Sequence, residues 1–161
     1  MKANGPRIKP KVRLLYTGGH ADNPEFFELL QQNDAHVVSD NTGFGTRAAD
    51  VLICEDGDPL EAIINYYFEE KPAATRQMGT QVERMERLLD LVKQYKADGV
   101  VASRLYMCDL WAFEHFLMRK RLHENNVPFL ELEVDYTPEG QGQIKTRVQA
   151  FVESLADRQT A

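Results

Sequence analysis

The sequence has little of what exported, membrane-spanning or nucleic-acid-binding proteins need. Two cysteines, Cys54 and Cys108, occur among 161 residues, too few for a disulfide scaffold. No apolar run approaches the ~18 residues of a membrane-spanning helix. The first six residues, Met-Lys-Ala-Asn-Gly-Pro, lack the apolar core of a signal peptide. We therefore expect a protein of the reducing cytoplasm with no membrane partner.

The charge balance is acidic rather than basic. Lys and Arg number 19 against 25 Asp and Glu, a formal net charge of −6. Nucleic-acid binding needs a basic surface, so we expect no nucleic-acid partner. Hydrophobic residues make up 43% and charged residues 27%, as in ordinary globular domains. There is no internal repeat and no low-complexity tract.

Regular patterns begin after a polar start. Residues 1–10 contain two prolines and are interpreted as a tail or linker, followed by one domain over residues 11–158. Short apolar runs predict four strands. They cover residues 12–17, 36–40, 99–104 and 128–134.

Helix-start signals lie between these runs. We expect the caps to be Asn23 before Pro24, Asp58 with Glu61, Thr80 with Glu83, and Asp109. Apolar residues at helical spacing follow each start. They include Leu60, Ile63, Ile64 and Tyr67; then Val82, Met85, Leu88, Leu89, Val92 and Tyr95; then Leu110, Phe113, Phe116 and Leu117. A last helix has apolar residues at Ile144, Val148, Phe151, Val152 and Leu155.

Strands that alternate with helices predict an α/β fold with a parallel sheet. Right-handed crossovers leave few topologies for it. We expect a doubly wound, flavodoxin-like or Rossmann-like four-stranded parallel sheet of order 2-1-3-4, with helices on both faces.

In such sheets, ligands bind beyond the carboxyl ends of the strands where the strand order reverses. Here that point lies between strands one and three. Gly18, Gly19 and His20 follow strand one and are candidates for substrate binding through backbone N–H groups, although a tight turn equally explains the glycines. Arg104 ends strand three and is a candidate anion-binding residue, or alternatively a surface ion-pair partner.

Cys108 is the candidate for chemistry. The positive end of a helix N-terminus stabilises a thiolate, which is both nucleophile and metal ligand. The alternative is a small buried hydrophobe, as many free cysteines are. Cys54 follows an apolar run and is expected in the core. Arg47, in a glycine-containing loop, either pairs with an anion or makes a surface ion pair.

Several segments, in order, resemble a known family. They are Gly99-Val100-Val101, then Met107-Cys108-Asp109-Leu110-Trp111, then Val127-Pro128-Phe129-Leu130-Glu131, and finally Thr146-Arg147-Val148-Gln149-Ala150-Phe151. This sequence is similar to the C-terminal part of the large subunits of 2-hydroxyacyl-CoA dehydratases and ATP-dependent benzoyl-CoA reductases. The likeness is strongest over residues 80–155.

The resemblance implies a 4Fe-4S cluster held by three cysteines, of which Cys108 matches the third. It also implies an acyl-CoA substrate, a homologous second large subunit, and an ATP-hydrolysing activator protein that delivers one electron. The other two cysteines would lie in a partner chain or N-terminal half, because one thiolate cannot hold such a cluster. The alternative is a non-catalytic assembly or anion-binding module of the same fold.

Overall fold

A four-stranded parallel sheet forms the centre of the molecule. The computed structural model describes residues 10–19, 24–31, 34–135 and 141–160. The strands are β1 (Val12–Gly18), β2 (Ala35–Asn41), β3 (Gly99–Leu105) and β4 (Phe129–Val134). Their order is β2-β1-β3-β4, with every neighbouring pair parallel. The predicted fold class and strand order are therefore confirmed.

Helices connect the strands. They are α1 (Pro24–Leu30), α2 (Thr46–Ala49), α3 (Pro59–Asn65), α4 (Gln81–Tyr95), α5 (Asp109–Glu124) and α6 (Gln141–Thr160). One π-helical turn, Tyr66–Glu70, continues α3 and ends before Pro72. The four-residue α2 has no counterpart in the sequence prediction. Within the described ranges, no helix is long and apolar enough to cross a membrane.

Both faces of the sheet are covered, because side chains alternate along each strand. Leu14 and Tyr16 of β1 pack into a cluster with residues of α1 and α6. Leu15, on the opposite face, packs into a second cluster with residues of α4 and α5. Helices on both faces are therefore confirmed, and the loops after β1, β2 and β3 emerge together at the carboxyl edge of the sheet.

The helix caps are only partly as predicted. The Asp58 side chain accepts hydrogen bonds from the backbone N–H groups of Leu60 and Glu61, which confirms this cap. The Thr80 side chain does not cap α4, because its hydroxyl donates to the carbonyl of Gln77 at 2.8 Å instead. Asp109 is also wrong as a cap, since it is the first residue of α5 and Cys108 holds the N-cap position. Asn23 lies outside the described residues.

The apolar patterns identified helices better than they identified buried faces. The inward face of α4 includes Met85, Leu88 and Val92, whereas Val82 is exposed. No residue of α3 is buried. Its apolar side chains are exposed, as is the tyrosine that follows them: Leu60, Ile63, Ile64 and Tyr67. The helix therefore presents its apolar stripe outward.

Candidate functional site

The switch point, where the strand order of the sheet reverses, lies between β1 and β3, as the topology requires. Gly18 at the end of β1 pairs with Ser103 of β3. A short turn then leads from β3 into α5, and Met107 within it has a left-handed φ of 62°, which is uncommon for a residue other than glycine. Half-buried Cys108 occupies the N-cap of α5. The predicted position of Cys108, after strand three and at a helix N-terminus, is confirmed.

The glycines after β1 allow a close approach of the backbone to neighbouring groups. A Cβ atom on Gly18 would lie 2.6 Å from the carbonyl oxygen of Ser103, and one on Gly19 would lie 2.8 Å from Nε1 of Trp111. The Gly19 N–H donates to the same Ser103 carbonyl at 3.2 Å. This turn therefore packs against β3 and the first turn of α5. His20, the third predicted member of the turn, lies outside the described residues.

A buried tyrosine lies directly below this turn. The Tyr16 hydroxyl and Ser103 Oγ are 2.5 Å apart, and both residues are buried. Burial raises the pKa of Tyr16 to about 12, although the hydrogen bond with Ser103 opposes the rise. The phenol is therefore protonated at neutral pH and supports the turn as a hydrogen-bonding group. This pair was not predicted from the sequence, although a tyrosine in a buried strand needs a hydrogen-bond partner for its hydroxyl.

Arg104 is held by carboxylates. It pairs with Glu133, and its Nε lies 3.6 Å from Glu131. Glu131 also forms an ion pair with Arg119, and its Oε1 lies 3.4 Å from Nδ1 of buried His115. Arg104 lines an open groove of about 740 Å³ along the edge strand β4. The acidic side chains of β4 thus anchor a charge network.

Burial lowers the pKa of His115, although Glu131 opposes the shift. Burial raises the pKa of Glu131, but hydrogen bonds and charges from Arg119 and His115 outweigh it and leave that pKa below its usual value. At neutral pH the network therefore combines a neutral imidazole with an ionised carboxylate. It is a structural tie between α5 and β4.

A second charge cluster lies on the other side of the switch point. Arg84 of α4 and Glu114 of α5 form a buried pair with Nε and Nη2 each 2.8 Å from a carboxylate oxygen. Arg87 of α4 pairs with Asp50 at 2.5 Å. Arg47 of α2 is half-buried next to them, and its pKa is lowered by burial and by the charges of Arg87 and Arg84. Only Arg47 was singled out from the sequence.

The cysteines are not equivalent. Cys54 is exposed, so its predicted place in the core is wrong. It lies in the irregular segment between α2 and α3. Over the described ranges, no group of three or more His, Cys, Asp or Glu residues is arranged to hold a metal ion. The described residues therefore place Cys108 at the switch point without a set of three metal ligands around it.

Large apolar side chains are exposed at the carboxyl edge of the sheet. In the described part of the chain, all of them fall within residues 44–82 and 106–116, which follow the carboxyl ends of β2 and β3. Leu110, Phe113 and Phe116 recur on the outer side of α5, while Trp111 and Met118 face the core. A helix that is apolar on both sides is typical of one buried on both sides.

Comparison of the sequence with known proteins finds subunits named as dehydratases. The chain is 29% identical over 156 residues to the Escherichia coli (strain K12) protein named "Putative dehydratase subunit YjiM", covering 94% of this chain and 39% of that protein. It is 25% identical over 159 residues to the (R)-phenyllactyl-CoA dehydratase beta subunit of Clostridium sporogenes, covering 96% and 41%. A third relative is the (R)-2-hydroxyglutaryl-CoA dehydratase subunit beta of Acidaminococcus fermentans, 25% identical over 140 residues, covering 82% and 36%.

The chain thus spans about two fifths of the length of the curated relatives that it matches. A sequence model of one family covers nearly all of it. That model is the 2-hydroxyglutaryl-CoA dehydratase D-component, and it matches residues 1–155. The chain therefore belongs to the 2-hydroxyglutaryl-CoA dehydratase D-component family.

Proposed function

We propose that this chain is the cysteine-contributing C-terminal domain of a 2-hydroxyacyl-CoA dehydratase-type enzyme. In this proposal Cys108 is one ligand of a 4Fe-4S cluster whose remaining cysteines come from another segment or chain. The substrate is an acyl-CoA thioester, reduced by one electron. Its partners are a second large subunit and an ATP-hydrolysing activator protein.

One observation carries the proposal. Cys108 occupies the N-cap of α5 at the carboxyl edge of β3, where the positive end of the helix dipole attracts negatively charged groups. Parallel sheets bind ligands at this edge. Membership of this family supports the proposed metal-binding role for a cysteine at this position. Its half-buried position alone would not suggest that role.

The described residues do not fit a complete cluster by themselves. Iron–sulfur clusters of this size take three or four protein ligands, whereas the chain has two cysteines in all and its described residues form no group of three or more ligands for a metal ion. When bound, such a cluster supplies one-electron transfer at low potential. The role of this chain is then to present one thiolate and one wall of the pocket.

The exposed apolar surface supports the need for a partner. Leu110, Phe113 and Phe116 extend along α5 from Cys108. The seven-residue α3 buries none of its own residues, and so short a helix is marginal in water without tertiary packing. A protein segment packed on this edge would cover both helices and bring its own cysteines to Cys108.

Anaerobic reconstitution tests the proposal. The chain is expressed alone, and together with the polypeptide that carries the missing cysteines, and each preparation is treated with iron and sulfide. We expect a four-iron cluster, measured by iron analysis and electron paramagnetic resonance, in the joint preparation alone. Cys108→Ser should weaken that cluster, whereas the matched control Cys54→Ser should leave it unchanged.

Two results would overturn the proposal. One is a stoichiometric cluster on the chain alone, and the other is a joint cluster indifferent to Cys108→Ser. If the two polypeptides associate but hold no iron, the assembly role is supported and the cluster role is rejected. Turnover assays with 2-hydroxyacyl-CoA and aromatic acyl-CoA thioesters then distinguish dehydration from ring reduction.

A further inference from the structure

Three arginines converge at the carboxyl ends of β1 and β2. They line a small cavity and are Arg47, Arg84 and Arg87. The cavity is also lined by Thr17, near the end of β1, and by Asn41, the last residue of β2. The cavity also touches Trp111 of α5. Like charges gathered in a partly buried place repel one another unless anions neutralise them.

The carboxylates present account for two of the three positive charges. Both carboxylate oxygens of Glu114 accept hydrogen bonds from Arg84, and the carboxylate of Asp50 forms an ion pair with Nη1 of Arg87. Within the described ranges no hydrogen bond or ion pair joins Arg47 to another residue, although the charge of Glu114, which also lines the cavity, acts on it. Two carboxylates against three arginines leave a net excess of one positive charge at the cavity.

A donor group also lacks its acceptor. Nη2 of Arg87 is buried without a hydrogen-bond partner among the described residues, although Nε of the same side chain lies 3.4 Å from Oδ1 of Asn41. By contrast, Nη1 of Arg84 reaches Oγ1 of Thr80 and two backbone carbonyls. An unsatisfied buried donor on a cation costs free energy until an acceptor fills the position.

The size of the cavity limits what enters. Its free volume is about 10 Å³, roughly that of one water-sized sphere. A single oxygen atom of an oxyanion fits this space, so the rest of the ligand must lie outside the cavity. Guanidinium groups bind carboxylate and phosphate oxygens with paired, charge-assisted hydrogen bonds.

We propose that Arg47 and Arg87 form an oxyanion-binding site that accepts one oxygen of a carboxylate or phosphate group. The ligand balances the Arg47 charge and gives Nη2 of Arg87 its acceptor. Arg84 is a positioning residue, because its contacts with Glu114 and Thr80 already occupy it. The site does not depend on Cys108 or on any cluster.

Trp111 provides the readout, because it is the only tryptophan of the chain and it lines the cavity. Inorganic phosphate, acetate and coenzyme A are titrated into the whole chain while Trp111 fluorescence is recorded. Sodium chloride at equal ionic strength is the control for screening. We expect a saturable change with an affinity on the order of 1 mM, as two charge-assisted hydrogen bonds give.

Arg47→Gln should weaken binding by about tenfold or more, the effect of one lost charge-assisted hydrogen bond. The matched control Arg158→Gln removes the same charge from exposed α6, which packs on the opposite face of the sheet, and should bind as the unchanged chain does. Tighter binding of coenzyme A than of inorganic phosphate identifies a phosphate ester as the ligand. Tightest binding of acetate identifies a carboxylate.

Thermal unfolding distinguishes an oxyanion-binding role of Arg47 from a purely structural one. With no oxyanion added, Arg47→Gln should unfold at the same or a higher temperature, since the substitution removes repulsion, and should lose the stabilisation that added oxyanion gives the unchanged chain. The proposal is overturned if no oxyanion changes Trp111 fluorescence more than chloride does. It is also overturned if Arg47→Gln lowers the unfolding temperature equally with and without oxyanion.

Discussion

The guanidinium of Arg84 and the carboxylate of Glu114 face each other inside the protein, with side-chain exposures of 7% and 3%. They join α4 to α5 under the switch point. Removing one partner of such a pair leaves the other buried and uncompensated. We expect Glu114→Gln to lower the free energy of unfolding by about 3–5 kcal/mol, measured by urea denaturation.

A carboxylate on the surface provides the control for that prediction. Glu153 is exposed on α6 and accepts a hydrogen bond from Gln149. Glu153→Gln should change the free energy of unfolding by no more than about 0.5 kcal/mol. Equal effects of the two substitutions would show that the buried pair has no special part in stability.

The fold was predictable because its signals are local. Each strand is a short apolar run, and the helix between two runs fixes parallel pairing through the crossover rule. The position of Cys108 followed from the same topology, because the residue after β3 must lie at the carboxyl edge. Cys54 was misplaced because an apolar run before a cysteine does not reveal whether any helix covers it.

The charge clusters were not predictable in this way. Arg84 and Glu114 are 30 residues apart in the sequence, and polar residues within a helix pattern ordinarily indicate its solvent face. Only the packing of α4 against α5 brings them inside. The exposed stripe of α3 shows the reverse case, since periodicity identifies an apolar face but not what lies against it.

Stability should fall at mildly acidic pH because of His115. Burial lowers its pKa in the folded protein, whereas in the unfolded chain it titrates near 6.5. Below about pH 6.5 the unfolded state therefore binds more protons, and the free energy of unfolding decreases until the pH reaches the lower folded pKa. Denaturant titrations at a series of pH values should show this decrease, and His115→Phe should reduce it.

The carboxylates provide an internal check on that assignment. The pKa of Asp40 is lowered by hydrogen bonds from Thr42 and Thr46, which outweigh the effect of burial. Its contribution, like that of Glu131, is present above the unfolded carboxyl pKa and is lost at lower pH than the histidine contribution. A decrease in stability just below about pH 6.5 that is unchanged in His115→Phe would contradict the role given to this histidine.

The two apolar sides of α5 should respond differently to truncation. Met118 is 3% exposed, and Phe113 is 62% exposed. Met118→Ala should lower the free energy of unfolding by about 2–5 kcal/mol, because it removes buried contacts and leaves a cavity. Phe113→Ala should change it by no more than about 0.5 kcal/mol. Chemical denaturation of both variants tests this, and a large loss in Phe113→Ala would show that its ring already packs within this chain.

Two glycines should give opposite results when replaced by alanine. The Cβ of Gly18→Ala would lie 2.6 Å from the backbone oxygen of Ser103, so β1 and β3 must shift apart, at a cost of about 1–3 kcal/mol. Gly142 lies exposed in α6 with open space where a Cβ would stand. Gly142 is the second residue of α6, so Gly142→Ala should stabilise the protein by no more than about 0.5 kcal/mol, because alanine loses less conformational freedom on folding. Thermal unfolding of both variants should show opposite shifts. A neutral Gly18→Ala would mean that the close approach of the strand ends is not needed to build the switch point.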